Sequence, residues 1–322
     1  MNTYIALDLE WNQSEDGKSG RVPGLPFEII EIGAVKLDAQ LNPLSEFHCV
    51  IKPKIYKRLH FRVSEVINIG IEELKKKGGD FEKLGREFLD WCFRFDEEGN
   101  PQEKPMFCTW GEADLTQLQR NMKYYGIGNP FPYPFLYYDV QKLYSLMTNG
   151  EKRPVVTLNK AVESLGIRED NEYHRALEDA QYTAKVMQKM DMLKFRDYLS
   201  LDYFRIPRTE DEEIYLVFPD YSKYVSRAFP GKEAGMKEKR VTDMICYQCS
   251  RMLKKPVPWF PVNQKQYLCL GYCPKHGFAR GKLRIKNTSD GKIYFVKTTR
   301  LVDGDTAEEV QEKRKEARKK NR

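Results

Sequence analysis

The sequence lacks any long hydrophobic run. No stretch approaches the roughly 18 apolar residues that a membrane-spanning helix needs, which argues against a membrane-embedded protein. The first residues, MNTYIALDLEW, have neither the basic start nor the apolar stretch of a secretory signal peptide, and their pattern predicts a strand from residue 4. We therefore expect a cytoplasmic protein with no membrane partner.

Cysteine is sparse over most of the chain. The sequence has seven cysteines, and neither this odd number nor their uneven spacing is typical of a disulfide framework. Cys49, Cys92 and Cys108 lie singly in apolar surroundings and are interpreted as buried thiols. The other four, which crowd into 28 residues and indicate a metal site, are Cys246, Cys249, Cys269 and Cys273.

Acidic residues are scarce in the last third of the chain. Residues 221–322 contain 25 Lys and Arg against 10 Asp and Glu, whereas residues 1–220 contain 29 against 37. A strongly basic segment in a chain of net charge +7 indicates a polyanionic partner, of which nucleic acid is the commonest. A merely solvated basic surface is the alternative.

Hydrophobic periodicity divides the chain into segments. Three successive strand patterns are followed by strands and helices, which predicts an α/β domain with a mixed five-stranded sheet flanked by helices. A small β-rich domain follows, with a hairpin turning at Asp290-Gly291, and Thr306 is the expected N-cap of a last helix. The predicted segments are the α/β domain 1–195, a linker or extension 196–240, the β-rich domain 241–302 and a basic helical tail 303–322.

Two acidic residues interrupt the first strand. Asp8 and Glu10 share one face of this strand, because side chains alternate, while the other face carries Ile5, Leu7 and Leu9. Two like charges on a buried strand repel, and burial adds a desolvation penalty, so a bound cation is the natural partner. A solvated polar face on an edge strand is the alternative.

Two further aspartates lie at helices. Asp114 opens an amphipathic helix and, taken singly, is best explained as its N-cap. Asp179 lies on a helical stripe of small residues, flanked by Ala176 and Ala180, that allows close packing against another element. His174 precedes Asp179 by five residues and either faces the same site or is an ordinary surface histidine.

Together, DLEW, WGEADLTQL and HRALEDA resemble the three sequence motifs of the DnaQ-like, or DEDDh, 3′-to-5′ exonucleases. The resemblance covers residues 3 to 190 and is nearest the KapD-like and histone-mRNA-exonuclease branches. It implies an RNase H-like fold and two bound Mg²⁺ or Mn²⁺ ions, and it implies that the metal ligands are Asp8, Glu10, Asp114 and Asp179. His174 is the implied general base, and Arg175, standing where a sister group has tyrosine, supports the histidine type.

The activity implied is hydrolysis of the terminal phosphodiester of single-stranded RNA or DNA, releasing 5′ mononucleotides. Trp11 stands where the family commonly has a threonine-type residue, adjoins the expected position of the terminal nucleotide, and is predicted to contact nucleic acid. A nucleic-acid-binding scaffold that retains the fold without efficient catalysis is the alternative.

The clustered cysteines belong to two metal-binding turns. Cys246-x-x-Cys249 and Cys273-x-x-His276, separated by 23 residues, have the spacing of a zinc ribbon, which predicts one structural Zn²⁺. Cys269 could replace one of these ligands. Free buried thiols are the alternative.

Basic residues alternate along one strand of the β-rich domain, which predicts a track for nucleic-acid phosphates; they are Arg280, Lys282, Arg284 and Lys286. Most aromatic residues of so small a domain must form its core, so we expect one or two exposed at most. The domain could instead dock a protein partner.

Overall fold

A computed structural model of the protein describes residues 3–65, 70–149, 155–168, 175–288 and 290–320. The chain forms two compact units, Met1–Phe204 and Arg205–Arg322. Within the described ranges, no helix has both the length and the apolarity needed to cross a membrane.

The first unit is built on a six-stranded mixed sheet. Its strands are β1 (Tyr4–Asn12), β2 (Glu28–Leu37), β3 (Pro43–Val50), β4 (Met106–Thr109), β5 (Leu136–Asp139) and β6 (Ser200–Leu201). They lie in the order β3-β2-β1-β4-β5-β6, and β1 pairs antiparallel with β2 and parallel with β4. This arrangement confirms the predicted mixed α/β, RNase H-like class.

The sheet has one strand more than the five predicted. The additional strand β6 contains two residues and pairs antiparallel with β5, Leu136 lying opposite Leu201. Two residues are too few to show an alternating pattern, so only the pairing with β5 identifies this strand. It also lies in the segment 196–240 that was predicted to be a linker or extension.

Helices cover both faces of this sheet. They are α1 (Phe61–Ser64), α2 (Ile71–Lys77), α3 (Phe81–Phe93), α4 (Asp114–Tyr124), α5 (Val140–Asn149), α6 (Leu158–Ser164), α7 (Ala176–Gln188) and α8 (Met192–Phe195). On one face, residues of α3 and α4 such as Phe88 and Leu118 pack with Ile5 and Leu7 of β1 in a first core. On the other face, residues of α5 to α7 pack around Ala6 in a second core.

Helix α7 approaches the sheet very closely at Gly33 of β2. A Cβ atom on Gly33 would lie 2.0 Å from the backbone carbon of Ala176 and 2.1 Å from the backbone nitrogen of Leu177. Only glycine permits this approach, because any side chain would overlap the helix backbone. The first turn of α7 is thereby held directly over β2.

The second unit is an antiparallel six-stranded sheet. Its strands are β7 (Ile214–Val217), β8 (Ser222–Val225), β9 (Lys254–Asn263), β10 (Gln266–Cys273), β11 (Gly277–Asn287) and β12 (Ile293–Leu301), in the order β7-β8-β12-β11-β10-β9. Its helices are α9 (Lys232–Lys237), α10 (Lys239–Thr242) and α11 (Gly304–Lys320). The predicted hairpin is present as β11 and β12, which pair from Ala279–Leu301 to Asn287–Ile293.

Residues 205–240, which lie within the predicted linker, contribute regular structure to this second unit. They contain β7, β8 and α9, and β8 pairs with β12 so that Lys223 lies opposite Thr298. The strands β7 and β8 have four residues each, which is short for a periodic signal. The second partner of β8, strand β12, lies about 70 residues further along the chain, a separation that local patterns do not report.

The last helix starts earlier than predicted and is not a free tail. The carboxylate of Asp303 accepts a hydrogen bond from the backbone N–H of Thr306 at 2.8 Å, so Asp303 rather than Thr306 caps the helix. Ala307 and Val310 are buried against Leu268 and Leu270 of β10. The helix α11 therefore covers part of one face of the second sheet.

Candidate active site and zinc site

Strand β1 presents its two acidic side chains on one face, as predicted. Ile5, Leu7 and Leu9 all lie in the first core. Asp8 and Glu10 share the opposite face of the strand, because alternate residues of a strand point the same way. Strand β1 pairs with β2 on one side and β4 on the other, so it is not an edge strand. This favours the interpretation of a metal site over that of a solvated polar face on an edge strand.

Asp179 joins these two carboxylates from α7. One carboxylate oxygen each from Asp8, Glu10 and Asp179 lie within 4.8 Å of one another. Asp179 lies in the first turn of α7, the turn that packs on Gly33. The close approach of helix and sheet therefore places a third acid beside the strand pair.

Asp114 is not the N-cap of α4. Ala113 occupies the cap position and makes no side-chain capping bond. Instead Oδ1 of Asp114 accepts a hydrogen bond from the backbone N–H of Leu9 at 3.2 Å. Pairing of β1 with β4 ends at Leu7 and Thr109, so Asp114 provides an acceptor for a strand N–H beyond the last pair. Its charge raises the pKa of Asp8, so it lies near that residue, but it is outside the group of Asp8, Glu10 and Asp179 whose oxygens lie within 4.8 Å of one another.

Burial and mutual repulsion dominate the electrostatics of this cluster. Burial first, and then the charges of Asp114 and Glu10, hold the pKa of Asp8 well above its usual range. Burial raises the pKa of Glu10 to about 8, with further contributions from Asp179 and Glu31. Burial also raises the pKa of Asp114 to about 7, against the hydrogen bond from Leu9. The four aspartate and glutamate side chains therefore need positive charge to be ionised together.

The donor set fits a hard divalent cation. The cluster offers only carboxylate oxygens, which suit Mg²⁺ and Mn²⁺ better than Zn²⁺. The gathered oxygens and the raised pKa values of Glu10 and Asp114 are consistent with such an ion, because binding it would replace protons and relieve the repulsion.

Glu31 is a fifth acid at the site that sequence reasoning missed. It lies opposite Glu10 on β2 and is only 2% exposed. Nε of Arg175 donates to both of its carboxylate oxygens, at 3.1 and 3.3 Å, and Nε2 of His48 lies 2.7 Å from Oε1. Glu31 is thus neutralised by the protein, unlike the clustered acids. The available signal was an acid between Ile30 and Ile32 in the interior of a predicted strand.

Arg175 acts on both acids of the β1–β2 pair. It precedes α7 as its N-cap residue, and its positive charge lowers the pKa of Glu10 while it pairs with Glu31. The ion pair with Glu31 ties the start of α7 to β2 next to the close contact at Gly33. From the sequence alone, Arg175 indicates only the histidine type.

Two predicted residues are not assigned to the site by the structure. His174, the predicted general base, lies outside the described residues. Trp11 packs against the first core, with its ring centroid 6.0 Å from that of Phe27. Its contact with nucleic acid stays a prediction.

The second unit contains the predicted group of sulfur and nitrogen ligands. The ligand atoms of Cys246, Cys249, Cys273 and His276 all lie within 4.8 Å of one another. Sγ of Cys249 lies 3.7 Å from Sγ of Cys273, and Nδ1 of His276 lies 3.3 Å from Sγ of Cys246. Two thiolates on one tetrahedral zinc are about 3.8 Å apart, given Zn–S bonds of about 2.3 Å. The set therefore fits a four-ligand zinc site.

Cys269 does not belong to this group. It is fully buried in a small core with Met244 and Leu253. Burial raises the pKa of its thiol to about 12, which disfavours the thiolate that binds metal. Cys269 is better explained as a core residue than as the alternate ligand.

The predicted phosphate track lies on one face of β11. Arg280, Lys282 and Lys286 are partly exposed and Arg284 is exposed, whereas the intervening Ala279, Gly281, Leu283 and Ile285 are buried. Residues 241–302 contain eight aromatic side chains. Tyr272 is 40% exposed, and the other seven are more buried. The expectation of one or two exposed rings is confirmed.

A mixed α/β sheet that gathers acidic side chains at a strand–helix contact defines a candidate metal-dependent hydrolase. The sequence profile of the RNase T family, described as exonuclease, matches residues 5–187. This match covers more than half of the chain, and the protein therefore belongs to this exonuclease family and is a nuclease hydrolase.

Individual proteins that resemble this chain have low sequence identity to it. The Bacillus subtilis (strain 168) protein named probable 3′-5′ exonuclease KapD is 26% identical over 194 residues, which is 60% of this chain and 86% of KapD. The crystal structure of a full-length 3′-exonuclease has a TM-score of 0.49 at 20% identity, over 62% of this chain and 63% of that one. The zinc-bound complex of E. coli exonuclease I with single-stranded DNA has a TM-score of 0.50 at 14% identity, over 84% and 54%.

The likeness to exonuclease I is one of fold alone at this level of identity. The chain spans less than two thirds of the length of both solved proteins. The substrate and the partners of this chain must therefore be argued from its own residues.

The raised pKa values predict a pH-dependent response to Mg²⁺. Without a cation, the folded chain holds protons on Glu10 and Asp114 that the unfolded chain releases near pH 4, so stability from these groups falls as pH rises towards 8. Mg²⁺ favours the ionised forms and should raise the unfolding temperature more at about pH 8 than at about pH 6. Thermal unfolding with and without Mg²⁺ measures this. An equal shift at both pH values, or an undiminished difference in Glu10→Gln, would contradict it.

The position of Glu31 predicts a role in metal binding through Arg175. Glu31→Gln keeps the size of the side chain but removes the anion that orients Arg175, so Mg²⁺ affinity should fall on the order of tenfold. Calorimetric titration with Mg²⁺ measures this. Glu46→Gln is the matched control, because Glu46 accepts an exposed hydrogen bond from Gln181 of α7 at 2.8 Å. Equal affinities in the two variants would show that Glu31 has no such role.

The ligand group predicts about one zinc ion per chain. Cys273→Ser should lose the bound zinc and lower the unfolding temperature, because a structural zinc contributes directly to folding. Cys269→Ser should keep the zinc, because Cys269 lies outside the ligand group. Elemental analysis of the purified variants decides this, and loss of zinc from Cys269→Ser would reinstate Cys269 as a ligand.

Proposed function

We propose that the first unit is a 3′-to-5′ exonuclease that hydrolyses the terminal phosphodiester of a single-stranded nucleic acid and releases 5′ mononucleotides. The observation that carries the proposal is the gathering of Asp8, Glu10 and Asp179 within 4.8 Å inside a domain of the exonuclease family. The name of the KapD relative, a probable 3′-5′ exonuclease, supports the direction of cleavage.

The acidic residues divide the work of holding two Mg²⁺ or Mn²⁺ ions. Asp8 and Glu10 offer oxygens from rigid strand positions, and Asp179 offers one from α7. Asp114 keeps one oxygen in the hydrogen bond from Leu9, which fixes its orientation and leaves its other oxygen for a ligand. When bound, two such ions activate the attacking water and stabilise the leaving 3′ oxygen.

The remaining proton transfer is assigned to histidine. Family resemblance makes His174 the general base, and an imidazole with its ordinary pKa of about 6.5 accepts a proton from water near neutral pH. Arg175 next to it carries a positive charge, which pairs with Glu31 and favours the ionised form of Glu10. These roles support hydrolysis over a scaffold that only binds nucleic acid, because each acid required by the family is present.

Two further proposals concern the protein as a whole. We propose that the Cys246, Cys249, Cys273 and His276 group holds one structural Zn²⁺, since all four protein ligands are present. We also propose a cytoplasmic location. Docking of a protein partner by the second unit remains the alternative role of that unit.

Removal of single ligands tests the exonuclease proposal. We expect the rate of Mg²⁺-dependent shortening of 5′-labelled single strands to fall by roughly a thousandfold or more in Asp8→Ala and in Asp179→Ala. Both variants should remain folded. The assay compares RNA, DNA and duplexes with Mg²⁺ and without added divalent cation, and thin-layer chromatography identifies 5′ mononucleotides. His174→Ala should slow the same reaction. Full activity in either aspartate variant would refute the assignment.

A further inference from the structure

A single row of cations runs along β11 in the second unit. Arg280, Lys282 and Arg284 point to the same face, since they alternate with buried residues. Alternate residues of a strand are about 6.7 Å apart, so these three charges follow one another at regular intervals. Among the described residues, none of the three has a carboxylate within ion-pair distance, whereas Lys292, Lys313 and Lys315 of the same unit each have one.

The row continues sideways across the sheet. Lys282 lies opposite Thr298 of β12, and Thr298 lies opposite Lys223 of β8, so the three side chains share one face. On the other side, Leu268 of β10 lies opposite Lys282 and is covered by α11. The cations therefore border the helix-covered half of the sheet.

The charges of the row repel one another. Partial burial, followed by the charges of Arg284 and Arg280, lowers the pKa of Lys282. Arg300, which lies opposite Arg280 on β12, is instead paired with Asp220. Arg280, Lys282 and Arg284 have no acidic partner of this kind, and they lie in a segment with an excess of basic residues. Their charges are therefore complementary to those of a polyanion.

An exposed aromatic ring lies at one end of the row. Tyr272 of β10 is opposite Phe278 of β11, two residues before Arg280, and its ring contacts that of Phe278 edge to face at 5.2 Å between centroids. Tyr272 is 40% exposed. The ring contact orients Tyr272 while leaving part of its surface available to a ligand.

We propose that Tyr272, Arg280, Lys282 and Arg284 form a binding surface for single-stranded nucleic acid, distinct from the carboxylate cluster. Regularly spaced cations match successive phosphates of an extended strand, and an aromatic ring stacks an unpaired base. An acidic polypeptide satisfies the cations but leaves the ring without a function. A duplex offers no unpaired base for the ring. RNA and DNA share this chemistry, and single strands of either would fit the surface.

The test is fluorescence anisotropy of the full chain with labelled single strands of RNA and DNA, without added divalent cation. Binding is then measured apart from hydrolysis, so failure of the exonuclease proposal leaves the result interpretable. In Arg280→Gln/Lys282→Gln/Arg284→Gln, the slope of log affinity against log salt should decrease in magnitude by about 2, because single strands contribute about 0.7 per neutralised phosphate. Affinity at moderate salt should fall on the order of tenfold or more.

The matched control removes three cations that already have acidic partners. Lys292, Lys313 and Lys315 pair with Asp290, Glu309 and Glu312 at 3.3, 3.8 and 2.6 Å. The corresponding triple Gln variant changes the net charge equally and should keep nearly the original salt slope. A slope change equal to that of the β11 variant would show that only net charge matters and would overturn the proposal.

Tyr272→Leu separates stacking from charge. It should weaken binding on the order of tenfold with the salt slope unchanged, since the variant loses the stacking of one base but no cation. An abasic strand should bind equally well to the Tyr272→Leu variant and to the unaltered chain. Polyglutamate that competes as well as nucleic acid, or a duplex that shows the same dependence on Tyr272, would refute a single-strand surface.

Folding of the variants is checked by zinc content and unfolding temperature. The charge-preserving variant Arg280→Lys/Lys282→Arg/Arg284→Lys should retain the salt slope even if its packing is altered. Loss of the slope in this variant would show that the triple Gln result reflects a disturbed sheet and would count against the proposal.

Discussion

Repulsion among partly buried carboxylates is the constraint around which the first unit is organised. Asp8 and Glu10 occupy a central strand, and the packing of α7 on Gly33 adds Asp179 beside them. Burial of apolar side chains on both faces of the sheet, at roughly 25 cal/mol per Å², offsets this electrostatic penalty. The carboxylates are consequently held in place before any ion binds, and the binding of a divalent cation relieves the repulsion that the fold imposes.

The protein treats the acids around this site in two different ways. Glu31 lies opposite Glu10 but is neutralised by Arg175, and Nε2 of His48 lies within hydrogen-bond distance of it. Asp8 and Glu10 instead have raised pKa values, and the charge of Asp179 on α7 contributes to both shifts. Acids that the protein itself neutralises fix the position of α7, whereas acids left in mutual repulsion are available for a cation. The same distinction separates positioning residues from ligands in many metal sites.

In the second unit, one turn connects the group of predicted zinc ligands to the strand that carries the basic row. Cys273 ends β10, Gly277 begins β11, and His276 lies between them, so two of the four ligands flank the turn that joins these strands. The aromatic end of the basic row, Tyr272, immediately precedes this turn. A zinc ion held here would stabilise the strand pair that presents the row, which explains how a small sheet can keep like charges at regular spacing.

Local patterns in the sequence were sufficient for β1, for its two acids on one face, and for the two pairs of zinc ligands, because strand alternation and short ligand spacings act over a few residues. The sequence by itself thus determined the α/β class and most candidate ligands. Only the tertiary structure decided that Asp114 accepts from Leu9, 105 residues away, rather than capping its own helix. It also decided the two-residue strand β6 and the ion pair between Glu31 and Arg175. These contacts depend on long-range packing, which hydrophobic periodicity does not encode.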